Sequence, residues 1–134
     1  MDRLMQRLQD ALRALAALQA ALGVSSPSDL ERDGAIQRFE FTYEAIWKAA
    51  QAYLETREGI QAPSPRAVFR GLGKMGVLLE GETLLALEMT DDRNRTVHTY
   101  IEAVSRQIFE KLPAYTPLLQ AIVARIQDRL KSDP

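Results

Sequence analysis

From the start of the chain, apolar residues recur at alternating spacings of three and four, as Leu4, Leu8, Ala11, Leu15, Leu18 and Leu22, with Arg3, Gln6, Arg7 and Asp10 off the stripe. This is the period of a helix that buries one face, and Gly23 closes it. After Ser25-Ser26-Pro27, Ser28 stands where an N-cap is needed, with Asp29 and Glu31 in the first turn to complement the helix dipole. The second helix runs to about Glu58 on the stripe Ile36, Phe39, Tyr43, Ile46, Ala50 and Tyr53, and Gly59 supplies the stop. Gly34 interrupts this pattern. Either a neighbouring helix comes close there, or the helix begins only after Gly34 with Asp33 as its cap.

Ser64-Pro65 pairs an N-cap with proline at the first helical position, so the spacing predicts a short helix from Pro65 to Lys74, ended by Gly76 and weakened by Gly71 and Gly73. Glu82 to Met89 is a further helical stretch. Thr90, Asp91 and Asp92 read as a cap and acidic first turn, which predicts a kink or restart there and a helix beyond it to about Leu112. Its expected buried stripe is Val97, Ile101, Val104 and Ile108. Pro113 should break that helix and Thr116-Pro117 restart it, with Leu119, Val123, Ile126 and Leu130 lining the last one and Lys131 to Pro134 as a frayed tail. No strand-length alternation, Asn-Gly turn or internal repeat interrupts the helical pattern. The fold class is therefore all-α, an antiparallel up-and-down four-helix bundle with an extra short helix. With 134 residues, 46% of them apolar, one domain over residues 1–134 is expected.

Composition narrows the chemistry. The chain has no cysteine, which removes disulfides, cysteine-ligated zinc and thiol nucleophiles. Its start lacks the basic and apolar regions of a signal peptide, and no apolar run approaches the roughly 18 residues a membrane span needs, so a cytoplasmic protein without a membrane is expected. A net charge of −1 gives no global positive field. Any RNA contact must be local, from Arg38, Arg66, Arg70, Arg93 and Arg95 if they converge. There is no phosphate-binding glycine loop, and Gly71-Leu72-Gly73 lacks the strand that should precede one. The single histidine cannot pair with another on a metal, so no metal and no cofactor are expected.

What remains is Asp91-Asp92-Arg93-Asn94-Arg95-Thr96-Val97-His98-Thr99-Tyr100, where the only histidine and only asparagine stand among arginines and a tyrosine. On an uninterrupted helix, Arg93 and Tyr100 border one side of the buried stripe, Asn94 and His98 the other, and Arg93 lies roughly 140° from His98 around the axis. One helix cannot easily aim both at one atom. A two-fold homodimer can, because two copies of the motif meet at the axis. An imidazole, with an ordinary pKa of about 6.5, can move a proton to or from a ribose hydroxyl or leaving oxygen while an arginine stabilises the developing phosphorane charge. That is metal-independent RNA cleavage, with Asn94 orienting either group. A second reading stands beside it: a hydrogen-bonded packing histidine and an ordinary solvated helix start.

The other cluster, residues 32–48, interleaves aromatics with charges. Glu40, Glu44 and Lys48 share a face, and Glu44 to Lys48 has the favourable order for a helix ion pair. Phe41 and Trp47 lie off the main stripe, which makes Arg38, Phe41, Glu44, Trp47 and Lys48 candidates for a partner interface, against the stronger reading of a solvated face above core aromatics.

At these two stretches, RDGAIQRFEFTYEAIWK at 32–48 and EMTDDRNRTVHTY at 88–100, the sequence resembles the nucleotidyltransferase-substrate-binding family of the HEPN superfamily, partners of minimal nucleotidyltransferases. The second stretch contains the HEPN signature of arginine, a polar residue, three further residues and histidine, extended here by Thr99 and Tyr100. The resemblance implies an HEPN-like bundle that dimerises and binds a separately encoded small nucleotidyltransferase, in the manner of a toxin–antitoxin pair. It implies that Arg93 and His98 occupy the positions proposed for ribonuclease action and Asn94 the polar position between them. Tyr100 matches the tyrosine that some partner enzymes adenylylate, and Arg95 beside it is a candidate nucleotide contact. The alternatives are a noncatalytic subunit that presents a nucleotide, and a scaffold that only stabilises the partner.

Overall fold

The computed structural model describes residues 2–132, and every regular element among them is helical. Five helices follow in order: α1 at Arg3–Leu22, α2 at Asp29–Arg57, α3 at Pro65–Lys74, α4 at Glu80–Arg95 and α5 at Glu102–Lys131. The four long ones form an up-and-down bundle. Arg38 and Thr42 of α2 reach back to the carbonyls of Ala17 and Ala14 of α1, which runs these two antiparallel. Asp33 beside Ser105 at one end of α2 and Tyr53 beside Arg129 at the other run α2 and α5 in the same direction. No helix among the described residues is long and apolar enough to cross a membrane.

Local chemistry places most helix ends where the sequence puts them. Ser28 and Glu31 close a capping box, Ser64 Oγ accepts from the Ala67 amide, and Gly59 and Gly76 take the positive φ angles that end α2 and the turn after α3. α2 includes Gly34, and a Cβ there would meet nothing within 4 Å. Neither explanation offered for it holds, since the helix neither starts after it nor is approached closely. Residues 58–64 double back along α2, held by the Gln51 side-chain amide on the Ala62 carbonyl (2.7 Å), so α3 begins beside α4.

The second half departs from expectation at three places. α4 does not restart at Thr90: the Thr90 hydroxyl bonds the Ala86 carbonyl and receives the Tyr43 hydroxyl (2.8 Å), which ties α4 to α2. The helix instead stops at Arg95, followed by a 3₁₀ turn at Thr96–His98 and an extended Ile101 that opens α5. Threonine hydroxyls divert the ladder here, Thr96 to the Arg93 carbonyl (2.7 Å) and Thr99 to the Thr96 carbonyl (3.1 Å). The expected stripe through this point fails with it: Val97 is 66% exposed and Ile101 44%, Val104 is half-buried, and Ile108 alone is fully buried.

α5, by contrast, passes straight through Pro113 and Pro117. Each proline removes one ladder bond, at roughly 3 kcal/mol in a helix interior. Both lie on the exposed face, where water reaches the freed carbonyls, and the buried face of Leu112, Tyr115, Leu118 and Leu119 offsets the loss. The helix runs through Lys131, where the sequence predicts that a frayed tail begins, with Ser132 as its cap, and the rest of that tail lies outside the described residues.

Candidate functional site

Beneath the α4–α5 junction lies an aromatic cluster. Phe39 stacks on Tyr115 (5.9 Å between ring centroids) and tilts against Tyr43 (6.2 Å), which in turn meets Phe69 of α3. Burial disfavours the phenolate, so the Tyr43 hydroxyl is pushed up to about 12, and Tyr115 is raised by the same cause with the Asp92 carboxylate adding to it.

On this base stands Asp92, which the sequence suggested as a solvated helix start and which is instead 3% exposed. It accepts a hydrogen bond from the Tyr115 hydroxyl and pairs with Arg95 (3.2 Å) and Lys111 (3.6 Å). Lys111 also holds Glu88 at 2.6 Å, and its ammonium form is favoured by that contact. Arg95 reaches on to the Gln107 side chain at 2.6 Å. The last turn of α4 is thereby braced against α5 from below.

Arg93 leaves α4 on another side and meets α2. Its Nη1 lies 3.5 Å from Glu40 and its Nε 3.5 Å from Glu44, and Nη1 donates to the Thr96 hydroxyl at 3.0 Å. The side chain is only 22% exposed, and its buried Nε takes no hydrogen bond. Glu44 also accepts from the Trp47 indole at 3.1 Å, so its carboxylate goes to Arg93 and Trp47 rather than to Lys48 as helix spacing suggested.

The remaining motif residues project outward. Asn94 and His98 are exposed, Tyr100 is 80% exposed, and the imidazole stands edge-on to the Tyr100 ring at 6.0 Å. The structure thus pairs His98 with Tyr100 and Arg93 with Glu40 and Glu44. Among the described residues no hydrogen bond joins Arg93 to His98. Of the second cluster, Phe41 is 58% exposed, Lys48 is exposed, and Trp47 packs partly against the core. The five arginines are taken up separately: Arg38 donates to the Ala17 carbonyl of α1, Arg66 pairs with Asp91, Arg93 with Glu40 and Glu44, Arg95 with Asp92, and Arg70 lines a groove with Lys74 and Glu80.

Helix spacing could identify the shared face of Glu40 and Glu44, but not that Arg93 would be what it faces. Asp92 and Tyr115 were missed as a pair because their contact crosses two helices, and no local signal announces it.

The profile of nucleotidyltransferase substrate binding protein-like sequences matches residues 6–128. The chain belongs to this family. A Thermus thermophilus protein of known crystal structure is 48% identical, with a TM-score of 0.84 over 87% of this chain and 98% of its own. The fold is shared more widely. A tri-AMPylated HEPN toxin of Shewanella oneidensis, solved in complex with an MNT antitoxin, superposes with a TM-score of 0.77 at 17% identity, over 96% of this chain and 99% of that one. A Haemophilus influenzae protein with the fold of a substrate binding domain of a nucleotidyltransferase gives 0.74 at 21%, over 90% and 98%. No curated protein matches the chain. Membership of the nucleotidyltransferase substrate binding protein-like family and an HEPN-type helical fold are thus established together.

Proposed function

We propose that this chain is the cytoplasmic HEPN subunit of a two-component, toxin–antitoxin-like system. In this reading it binds a small nucleotidyltransferase and works as a homodimer whose two α4–α5 junctions form a cleft for RNA. The observation that carries the reading is the junction itself. Asn94, His98 and Tyr100 project from it into solvent, and the exposed apolar Val97 and Ile101 lie within the same few residues. Apolar side chains in such a place are surface that a second molecule would cover. The neighbouring folds support the partner: one is a toxin solved with its MNT antitoxin and another a toxin–antitoxin with AMP-PNP.

In the cleft, His98 serves as the proton-transfer group, Arg93 as the cation for phosphate charge and Asn94 as the orienting amide, with no metal required. Tyr100 is the acceptor for adenylylation by the partner. A bulky phosphodiester on its hydroxyl, on a ring whose centroid lies 6.0 Å from that of the imidazole, adds negative charge where RNA phosphate must come. The test is cleavage of single-stranded RNA in EDTA. His98→Ala should lower the rate roughly 10²- to 10⁴-fold without changing the melting temperature. Equal cutting by the alanine variant contradicts the acid–base role.

A noncatalytic substrate-binding subunit is favoured by one observation, that Arg93 turns to Glu40 and Glu44 of α2 and not to His98. It predicts nucleotide binding that Arg93→Ala abolishes, with no cleavage product. A scaffold predicts that neither substitution matters, while Phe41→Asp or Trp47→Asp releases the partner.

A further inference from the structure

We propose that Glu40 and Glu44 form a carboxylate clamp that competes with phosphate for Arg93 and so sets how strongly the site takes RNA or nucleotide. The proposal rests on the reading of Arg93 as the phosphate-contacting cation. Its ground is the geometry between α2 and α4. Glu40 and Glu44, one helical turn apart, present their carboxylates to a single guanidinium at 3.5 Å each. Two negative groups face one positive group, so the trio carries surplus negative charge where a phosphate must arrive. The contacts are charge contacts more than good hydrogen bonds, since 3.5 Å is long for a charged pair and the Arg93 Nε is buried without a hydrogen-bond partner. A guanidinium held this loosely can exchange a carboxylate for a phosphate, whose oxygens match its planar fork. Thr96, which accepts from Nη1 and lies at the start of the 3₁₀ turn, keeps the guanidinium beside the segment that carries His98 while the exchange occurs.

The exchange has a built-in reporter. Trp47 is the chain's only tryptophan, and its indole donates to the same Glu44 that touches Arg93. Moving Glu44 off Arg93 changes the hydrogen bonding and charge at the indole, and its emission must respond.

The experiment measures binding of a fluorescent single-stranded RNA, methylated at every 2′-oxygen so that it cannot be cut, with ATP titrated in a parallel arm. Arg93→Ala should weaken whichever ligand the wild type binds. Glu40→Gln and Glu44→Gln should each tighten it, by roughly fivefold at the upper end of what a partly exposed ion pair is worth. In the Arg93→Ala background the same glutamines should change affinity little, because their effect passes through the guanidinium. Wild-type Trp47 emission should shift on ligand addition. The clamp is overturned if the glutamine variants bind equally or more weakly while Arg93→Ala weakens binding, if the tightening persists undiminished without Arg93, or if Trp47 emission stays constant at saturation. If Arg93→Ala binds as the wild type does, the reading of Arg93 itself fails, and the two failures are thereby told apart.

Discussion

Asp92 and Arg93 are neighbours in sequence with opposite assignments. Asp92 turns inward to Tyr115, Arg95 and Lys111, whereas Arg93 turns to the carboxylates of α2. The first fixes the end of α4 on α5, and the second ties the same turn to α2. Removing the buried carboxylate leaves Lys111, Arg95 and a buried phenol short of a partner, so Asp92→Ala should destabilise the fold by about 3 kcal/mol in urea unfolding. Tyr115→Phe, which removes a charge-assisted hydrogen bond and keeps the ring packing, should cost about 1.5–3 kcal/mol. If both variants unfold at the wild-type midpoint, the brace is not a brace. The tyrosines also predict a pH response. Tyr43 titrates in the fold at about 12, above its ordinary value of 10, and Tyr115 is raised as well. Unfolded phenols lose protons first, so stability is full below about pH 10 and falls as pH rises toward 12. Melting temperatures across that range should drop for the wild type and drop less steeply for Tyr43→Phe.

Among the elements, what was legible in the sequence is what local chemistry decides. Ser28 with Glu31, Ser64 with Pro65, and the glycines 23, 59 and 76 set the ends of α1, α2 and α3 nearly where spacing put them. The errors fall where a distant contact overrides a local signal. Thr90 resembles a cap by type, yet its hydroxyl serves Tyr43 from a helix 47 residues earlier. Two prolines resemble a break, yet the buried face around Tyr115 carries α5 through them. The consequence for the site was large, since the histidine expected on a helix edge stands on a 3₁₀ turn and an ideal-helix angle no longer relates it to Arg93. Glycines give the element scale its own test. Gly34→Ala fills open space in a helix and should stabilise α2 by about 1 kcal/mol, whereas at Gly73 a Cβ would stand 2.7 Å from the Thr83 hydroxyl and alanine should destabilise. A melting temperature that falls for Gly34→Ala contradicts the open helix described for α2.

For the whole molecule, the exposed polar side chains of Asn94, His98 and Tyr100 and the exposed apolar ones of Val97 and Ile101 coincide at the α4–α5 junction. Family membership assigns the chain to nucleotidyltransferase substrate binding protein-like sequences. What the junction does depends on whether a second copy covers it. The absence of cysteine makes this directly measurable, because a single introduced thiol has no native competitor. Val97→Cys, at the exposed centre of the junction, should form a disulfide-linked dimer rapidly under mild oxidation at micromolar protein, while Leu84→Cys, equally exposed on α4, should remain monomeric. Equal cross-linking of the two variants, or none at Val97, would contradict a cleft built from two copies.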